Sequence, residues 1–183
     1  MEIEGLLLIR PDVYHDARGL FFEQFHQAKY AGLGIVANFV QDNCSYSRRG
    51  TIRGLHYQVG DRPQGKLVMV LHGKILDVAV DIRFGSPTFG QHVAIELSSE
   101  DPLQLWVPPG FAHGFSVLSQ EAVVSYKCTS PYCGNLERSI RFNDPDLHID
   151  WRVTEPILSE RDTGAPLFST ISQDFIYPCE CRA

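Results

Sequence analysis

The chain has 183 residues, of which 44% are hydrophobic, and it carries a formal net charge of −6. This length predicts one domain over residues 1–183, with a substantial core and an irregular tail from about residue 170. The acidic balance excludes a nucleic-acid surface, since affinity for a polyanion comes mostly from clustered Lys and Arg.

Two further features of the composition concern location. The first residues contain no cationic segment followed by an apolar run, and no stretch approaches the roughly 20 apolar residues of a membrane span. We therefore expect a cytoplasmic protein with no membrane association. The cysteines number five and lack C-x-x-C spacing, so reduced thiols are expected rather than disulfides or a structural zinc site; the role of Cys179 and Cys181 stays open.

Short extended segments follow one another along the chain, separated by turn residues. They cover residues 6–9, 20–25, 39–43, 51–58, 66–71, 76–82, 92–97, 103–107, 114–118, 123–128 and 139–142. A helical turn is predicted over 27–30, and the proline-interrupted last forty residues are predicted to wrap the sheets as loops and short helices. Strands in series without intervening helical patterns predict an all-β sandwich or barrel.

The clearest alternation runs from Leu76 to Ile82. Its apolar residues fall on one face of a strand, with Asp77 and Asp81 on the other. This pattern predicts one apolar face and one polar face.

We place the chemistry in the stretch Arg53-Gly54-Leu55-His56-Tyr57-Gln58. In a regular strand Arg53 and His56 would point to opposite faces. A glycine within a strand often marks a bulge or a close backbone approach. An irregularity at Gly54 would let both side chains address one pocket.

A second unusual stretch, Pro108-Pro109-Gly110-Phe111-Ala112-His113, has the spacing P-x-G-x-x-H. It resembles the second motif of the cupin superfamily, whose fold is a small double-sheet jelly roll. Many cupins bind a metal through that histidine, an H-x-H pair and a glutamate. Here His56 is followed by Tyr57-Gln58, so the ligand set is incomplete, although His72 could substitute.

The remaining inventory suits acid–base chemistry, with His56, Lys66, Tyr126, Tyr132 and Asp162 as its members. Several strings together resemble the dTDP-4-dehydrorhamnose 3,5-epimerase family from about residue 9 to about residue 167. The strings lie at 16–23, 39–43, 53–58, 64–68, 77–83, 86–90, 110–115 and 158–162. This resemblance implies a cupin-type double-sheet jelly roll with a few short peripheral helices, mainly toward the C-terminus.

The resemblance also implies the reaction. Family members remove a proton next to the C4 ketone of a dTDP-linked 4-keto-6-deoxy sugar and return one to the opposite face. No cofactor and no metal are expected, because the substrate ketone accepts the electron pair as an enolate. His56 matches the base, Asp162 its paired carboxylate, Lys66 the cation near the C4 oxygen, and Tyr126 the proton donor.

Other positions match the family's substrate contacts. They are Arg18, Phe21, Glu23, Gln41, Asp42, Asn43, Arg53, His113, Tyr132, Glu137 and Arg161. Tyr132 matches the residue that stacks on the thymine base, and arginine suits a diphosphate because its planar fork donates two hydrogen bonds. The family is a homodimer with exchange of an N-terminal strand, so some contacts are expected from a second subunit.

Three departures from the family concern Arg161, where a lysine is usual, Pro131, where many members have tyrosine, and the tail over 173–183. The leading prediction is inversion of C3 and C5 of dTDP-4-keto-6-deoxyglucose to give dTDP-4-dehydrorhamnose. The alternatives are inversion of a single carbon in a related sugar, a metal-dependent cupin enzyme, and a non-catalytic nucleotide-sugar-binding module.

Overall fold

The computed structural model describes residues 3–177. Within them the chain forms short strands, two short α-helices and one 3-10 turn. The strands are β1 Leu7–Ile9, β2 Val13–Asp16, β3 Gly19–Phe22, β4 Gln41–Arg48, β5 Ile52–Gln58, β6 Lys66–His72, β7 Lys74–Asp81, β8 His92–Ser98, β9 Gln104–Val107, β10 Phe111–Val117, β11 Glu121–Cys128 and β12 Glu137–Ser139. The helices are α1 Gln27–Gly32 and α2 Glu160–Thr163, and the 3-10 turn is Phe168–Thr170.

Ten strands form two antiparallel five-stranded sheets. The first has the order β1-β9-β6-β11-β4 and the second the order β12-β5-β10-β7-β8, while β2 and β3 pair in a separate hairpin. The prediction of an all-β, double-sheet fold with short peripheral helices is confirmed, although α1 lies in the N-terminal part. No helix among residues 3–177 is long and apolar enough to cross a membrane.

Apolar side chains form three layers across the sheets. The layer between the sheets contains Val68, Ile75, Leu105 and Phe115. A second layer covers the outer face of the second sheet and includes Leu55 of β5, which packs beneath the C-terminal segment. The third lies between the first sheet and α1. The segment after β12 thus packs against the sheet that carries His56.

The prediction of a polar face on β7 is wrong. Asp77 and Asp81 are completely buried, as are Ile75 and Ala79 on the same face of the strand. Each carboxylate has polar partners: Asp77 contacts His113, and Asp81 accepts hydrogen bonds from the Arg83 side chain. Both faces of β7 therefore lie inside the protein, as hydrogen-bonded buried carboxylates allow.

Smaller differences concern the element boundaries. The strand β2 was not predicted, β4 extends further than the 39–43 segment, and the last strand ends at Ser139 instead of residue 142. Cys44, Cys128 and Cys133 are free. Cys179 and Cys181, with the end of the predicted tail, lie outside the described residues.

The predicted irregularity at Gly54 is present. In the ladder between β5 and β10, His56 pairs with His113 and Arg53 pairs with Phe115, so β5 has one extra residue. Gly54 has φ +137°, and the Gly54–Leu55 peptide bond is cis. Because of this bulge, Arg53 and His56 both face the space between the sheets.

Replacement of Gly54 by alanine is expected to destabilise the protein by about 3 kcal/mol. A Cβ atom there would lie 2.5 Å from the Gly114 Cα, on a backbone conformation that side chains rarely adopt. Urea unfolding would measure the loss. Gly32→Ala is the matched control, because beyond its chain neighbours and its own helix backbone its added Cβ would meet no atom within 4 Å. Equal stability of the two variants would contradict the close approach.

Candidate active site

A cavity of about 700 Å³ opens between the sheets and the segment that carries α2. The predicted catalytic residues all line it, together with three of the predicted substrate contacts. These lining residues are His56, Lys66, Tyr126 and Asp162, with Arg53, His113 and Arg161. The structure thus assembles the predicted catalytic set from β5, β6, β11 and α2.

His56 and Asp162 form a hydrogen-bonded pair in the cavity wall. The His56 Nε2 atom lies 2.5 Å from the Asp162 Oδ1 atom. The His56 side chain is 25% exposed and that of Asp162 only 4%, so the imidazole reaches the cavity while the carboxylate lies behind it. Asp162 is held in turn by the cap of α2, where its backbone N–H donates to the Ser159 Oγ at 3.1 Å.

The electrostatics keep Asp162 ionised. Burial raises the pKa of this carboxyl, but hydrogen bonds from His56, Ser159 and the Gly54 backbone N–H outweigh burial, so the pKa falls below its usual value. A carboxylate can only accept hydrogen bonds. The His56 Nε2 atom therefore carries the hydrogen, and the Nδ1 lone pair is left as the basic atom.

Lys66 brings a partly buried cation into the same cavity. Burial lowers the pKa of its ammonium, while nearby Cys128, Glu137 and Asp77 act in the opposite direction. Its Nζ donates one long hydrogen bond, of 3.5 Å, to the His56 carbonyl oxygen. No other acceptor among residues 3–177 takes a hydrogen bond from it, so the ammonium has donors to offer to a bound oxygen.

Tyr126 lies across the cavity from His56. It belongs to β11 of the first sheet, whereas His56 belongs to β5 of the second. Burial, reinforced by Cys128, raises the pKa of the Tyr126 phenol. The hydroxyl therefore keeps its proton at neutral pH.

A second histidine–aspartate pair, which the sequence analysis missed in part, lies beside the first. The His113 Nε2 atom is 2.9 Å from Oδ1 of the buried Asp77, and Oδ2 of Asp77 has no hydrogen-bond partner among the described residues. His113 stands directly opposite His56 in the strand ladder. The apolar Ile75 and Ala79, two residues to either side of Asp77, could have signalled that this aspartate is buried.

The guanidinium groups in the cavity wall are held by polar neighbours. Arg53 Nε donates to the Ser47 Oγ at 3.0 Å, so Ser47 is a further residue that orients the site. Arg161 forms an ion pair with Glu137 of β12. Burial lowers the pKa of Arg161, but the Glu137 carboxylate has the opposite effect. The net result is a pKa above the usual value, so the group stays charged.

Several predicted substrate contacts are not among the lining residues but neighbour them, since Asn43 stands opposite Tyr126 in the β4–β11 ladder. Gln41 accepts a hydrogen bond from the Tyr132 backbone N–H at 2.8 Å and donates to Asn43 at 2.9 Å. Tyr132 itself is 57% exposed. Gln58, another residue that the sequence analysis did not single out, accepts a hydrogen bond from the Cys133 backbone N–H at 2.8 Å and so fixes the same loop.

The remaining predicted contacts lie away from the cavity of their own chain. Arg18 pairs with Asp16 on the β2–β3 hairpin, where the Phe21 ring is 69% exposed. Glu23 pairs with Lys29. Gln41 and Asn43 project from one face of β4, whereas Asp42 projects from the other face. There it accepts a hydrogen bond from the Lys127 ammonium at 2.9 Å, so the structure does not bring Asp42 to the site.

Metal-ligating side chains do not converge in the part of the chain that the structure describes. Among residues 3–177 no three His, Cys, Asp or Glu groups are placed to hold one ion. His72, the possible substitute ligand, has a side chain that is 62% exposed and lies beside Glu121. The set that a metal-dependent cupin would use is therefore not assembled from these residues.

Comparison with known proteins agrees with this geometry. The family model described as dTDP-4-dehydrorhamnose 3,5-epimerase matches residues 1–170. The dTDP-4-dehydrorhamnose 3,5-epimerase of Pseudomonas aeruginosa is 48% identical over 171 residues, which cover 92% of this chain and 94% of that protein. The chain belongs to the dTDP-4-dehydrorhamnose 3,5-epimerase family. It is thus an isomerase with the cupin-like jelly roll of that family.

Two solved structures bear on the finer assignment. An epimerase from Legionella pneumophila in complex with dTDP-4-keto-L-rhamnose is 49% identical, with a TM-score of 0.93 over 97% of this chain and 96% of that one. A 3'-monoepimerase from Streptomyces bikiniensis in complex with dTDP-quinovose is 33% identical, with a TM-score of 0.87 over 93% and 87%. The family fold therefore includes enzymes named for one centre as well as for two.

The lowered pKa of Asp162 predicts a pH-dependent contribution to stability. In the unfolded chain this carboxyl takes up its proton near the usual value, whereas in the folded protein it stays charged to lower pH. The free energy of unfolding of wild type should exceed that of Asp162→Asn by its full amount at pH 6–7. This difference should fall as the pH drops below about 4, through the pKa that Asp162 has in the folded protein. Urea unfolding of both proteins across this range measures it, and a difference that grows toward acid pH would contradict the assignment.

Proposed function

We propose that this epimerase inverts C3 and C5 of dTDP-4-keto-6-deoxyglucose and gives dTDP-4-dehydrorhamnose. The observation that carries the proposal is the placement of His56 and Tyr126 on facing sheets of one cavity. Inversion at carbon requires that a proton leave from one face and return to the other. A base and an acid on opposite walls supply this arrangement.

In the proposed mechanism, His56 Nδ1 takes the proton from a carbon next to the C4 ketone. The ionised Asp162 on Nε2 stabilises the imidazolium that forms, since the hydrogen bond strengthens as charge develops. The electron pair moves to the C4 oxygen as an enolate. Tyr126 then delivers a proton from the other wall, and repetition at the second carbon completes the double inversion.

The enolate oxygen would be stabilised by the ammonium of Lys66. Its burial strengthens electrostatic interactions, and its Nζ has donors to spare among the described residues. His113, held by Asp77, lies within the same wall and would contact the substrate. The guanidinium groups of Arg53 and Arg161 would bind the diphosphate.

One observation favours two centres over one. The relatives at 48% and 49% identity bear the names of 3,5-epimerases, whereas the 3'-monoepimerase is 33% identical. The three cysteines among residues 3–177 are free, which is typical of a reducing compartment and supports a cytoplasmic location as part of this proposal.

We further propose a homodimer in which the β2–β3 hairpin enters the partner's site. The hairpin exposes Tyr14 (63%), Leu20 (46%) and Phe21 (69%). A two-stranded hairpin is marginally stable alone and gains from packing on another surface. Strand β4, which carries Gln41 and Asn43, is the edge of the first sheet. Arg18 and Phe21 would thus reach the nucleotide through a second copy of the chain.

Incubation with dTDP-4-keto-6-deoxyglucose in deuterated water tests the reaction. Wild type should incorporate deuterium at C3 and C5 with inversion, and His56→Ala should incorporate none because the base is missing. Tyr126→Phe should exchange protons but invert poorly, because it lacks the acid on the far wall. NMR of the sugar reads each position. Label at one carbon only would establish the single-centre alternative, and no label would exclude this substrate.

Subunit mixing tests the shared site. His56→Ala and Arg18→Ala homodimers should each be nearly inactive, but a refolded equal mixture should recover up to about a quarter of wild-type activity. Each mixed dimer contains one site with both native halves, and half of the randomly formed dimers are mixed. Native mass spectrometry of the mixture, with one variant ¹⁵N-labelled, is the control that shows whether mixed dimers form. An inactive mixture despite demonstrated exchange would contradict the shared site.

A further inference from the structure

The helix that carries Asp162 is a single turn. α2 spans Glu160–Thr163, and so short a helix is not stable by itself. Its local bonds, from the N–H of Asp162 to the Ser159 Oγ and from the N–H of Thr163 to the Ser159 carbonyl, cap the turn without reaching a sheet. The place of the Asp162 carboxylate therefore depends on contacts between α2 and the barrel.

Backbone hydrogen bonds hold the chain on either side of α2. Ile157 exchanges them with Gly50 and Ile52, at 2.9 and 3.0 Å, and Pro166 accepts one from Arg141 at 2.8 Å. These bonds fix where the segment enters and leaves. They lie outside the helical turn and do not fix its rotation about its own axis.

Two adjacent side chains of α2 reach the second sheet. Arg161 pairs with Glu137 of β12, and Asp162 pairs with His56 of β5 and accepts a hydrogen bond from the Gly54 N–H. Successive residues of a helix project about 100° apart. Contacts from two adjacent side chains at different angles fix the rotation of the turn more firmly than the Asp162 contacts alone.

Glu137 and His56, the partners of these two side chains, lie on one face of the second sheet. In the β12–β5 ladder Glu137 stands opposite Gln58, and Ser139 stands opposite His56. Directly paired residues, and residues two apart on a strand, share a face. Glu137 and His56 therefore project side by side toward α2. The Glu137 side chain is only 14% exposed, so its carboxylate is a well-fixed anchor.

We infer that the Arg161–Glu137 ion pair is a positioning device for the His56–Asp162 pair. It holds α2 at the rotation that aims the Asp162 carboxylate at the His56 Nε2 atom. This role is distinct from the substrate contacts that the resemblance implies for the same two residues. The inference rests on the proposed function, in which His56 is the base.

The test begins with the substrate-free protein, where binding contacts play no part. The proton between His56 Nε2 and Asp162 should give a downfield resonance in a histidine ¹⁵N–¹H spectrum, identified by its loss in Asp162→Asn. We expect it to be present in wild type and Arg161→Lys, which keeps the charge. It should be broadened or shifted in Arg161→Met and Glu137→Met. Arg161 has a 44% exposed side chain, so its replacement leaves folding intact.

Kinetics supply the second readout. Arg161→Met and Glu137→Met should each lower kcat about tenfold to a hundredfold, because small displacements of catalytic groups have effects of this size. The double variant should be no worse than either single one, since both remove the same ion pair. Arg10→Met, which breaks the exposed pair with Asp101, is the matched control and should behave as wild type.

An unchanged resonance in both variants, with the loss confined to KM, would overturn the positioning role and leave only substrate contact. Full additivity of the two substitutions would overturn it as well. If wild type does not turn over the proposed sugar, the proposed function fails, but the resonance still decides whether the ion pair positions Asp162.

Discussion

The site depends on the contact between two backbones at Gly54 and Gly114. A side chain on Gly54 would meet the Gly114 Cα at 2.5 Å, so the strands can approach this closely only without one. The approach accommodates the extra residue in β5 that turns Arg53 and His56 to the same face. The bulge also leaves the Gly54 N–H free to bind Asp162. One irregularity therefore aims the base and helps to keep its partner ionised.

Around this contact the protein places charged groups where apolar side chains dominate. Buried charges are costly unless they are paired and hydrogen-bonded. Hydrogen bonds from His56, Ser159 and Gly54 offset this cost for Asp162, and the contact with His113 offsets part of it for Asp77. Lys66, by contrast, has a single long hydrogen bond among the described residues. The Asp162 carboxylate is satisfied by the fold, while the cation is left for the substrate.

Alternation and turn residues were enough to predict most strands, because a half-buried strand repeats every second residue. The bulge at Gly54 was also predictable, since Arg53 and His56 could not otherwise share a pocket. Asp77 was assigned to a polar face because its own strand carries a second aspartate, although Ile75 and Ala79 share that face. The Arg161–Glu137 pair depends on the placement of α2, which no local pattern encodes. The contacts expected from Arg18 and Phe21 require a second chain.

The distance along the sequence between His56 and Asp162 has a consequence for biosynthesis. The two residues are 106 positions apart, whereas His56 and Lys66 are only 10 apart. Contacts between distant residues form late, because a long loop must close first. A growing chain can thus pair β5 through β11 and shape most of the cavity wall while His56 still lacks its carboxylate. Catalytic competence arrives when the C-terminal segment docks, so activity reports on completion of folding rather than on formation of the barrel.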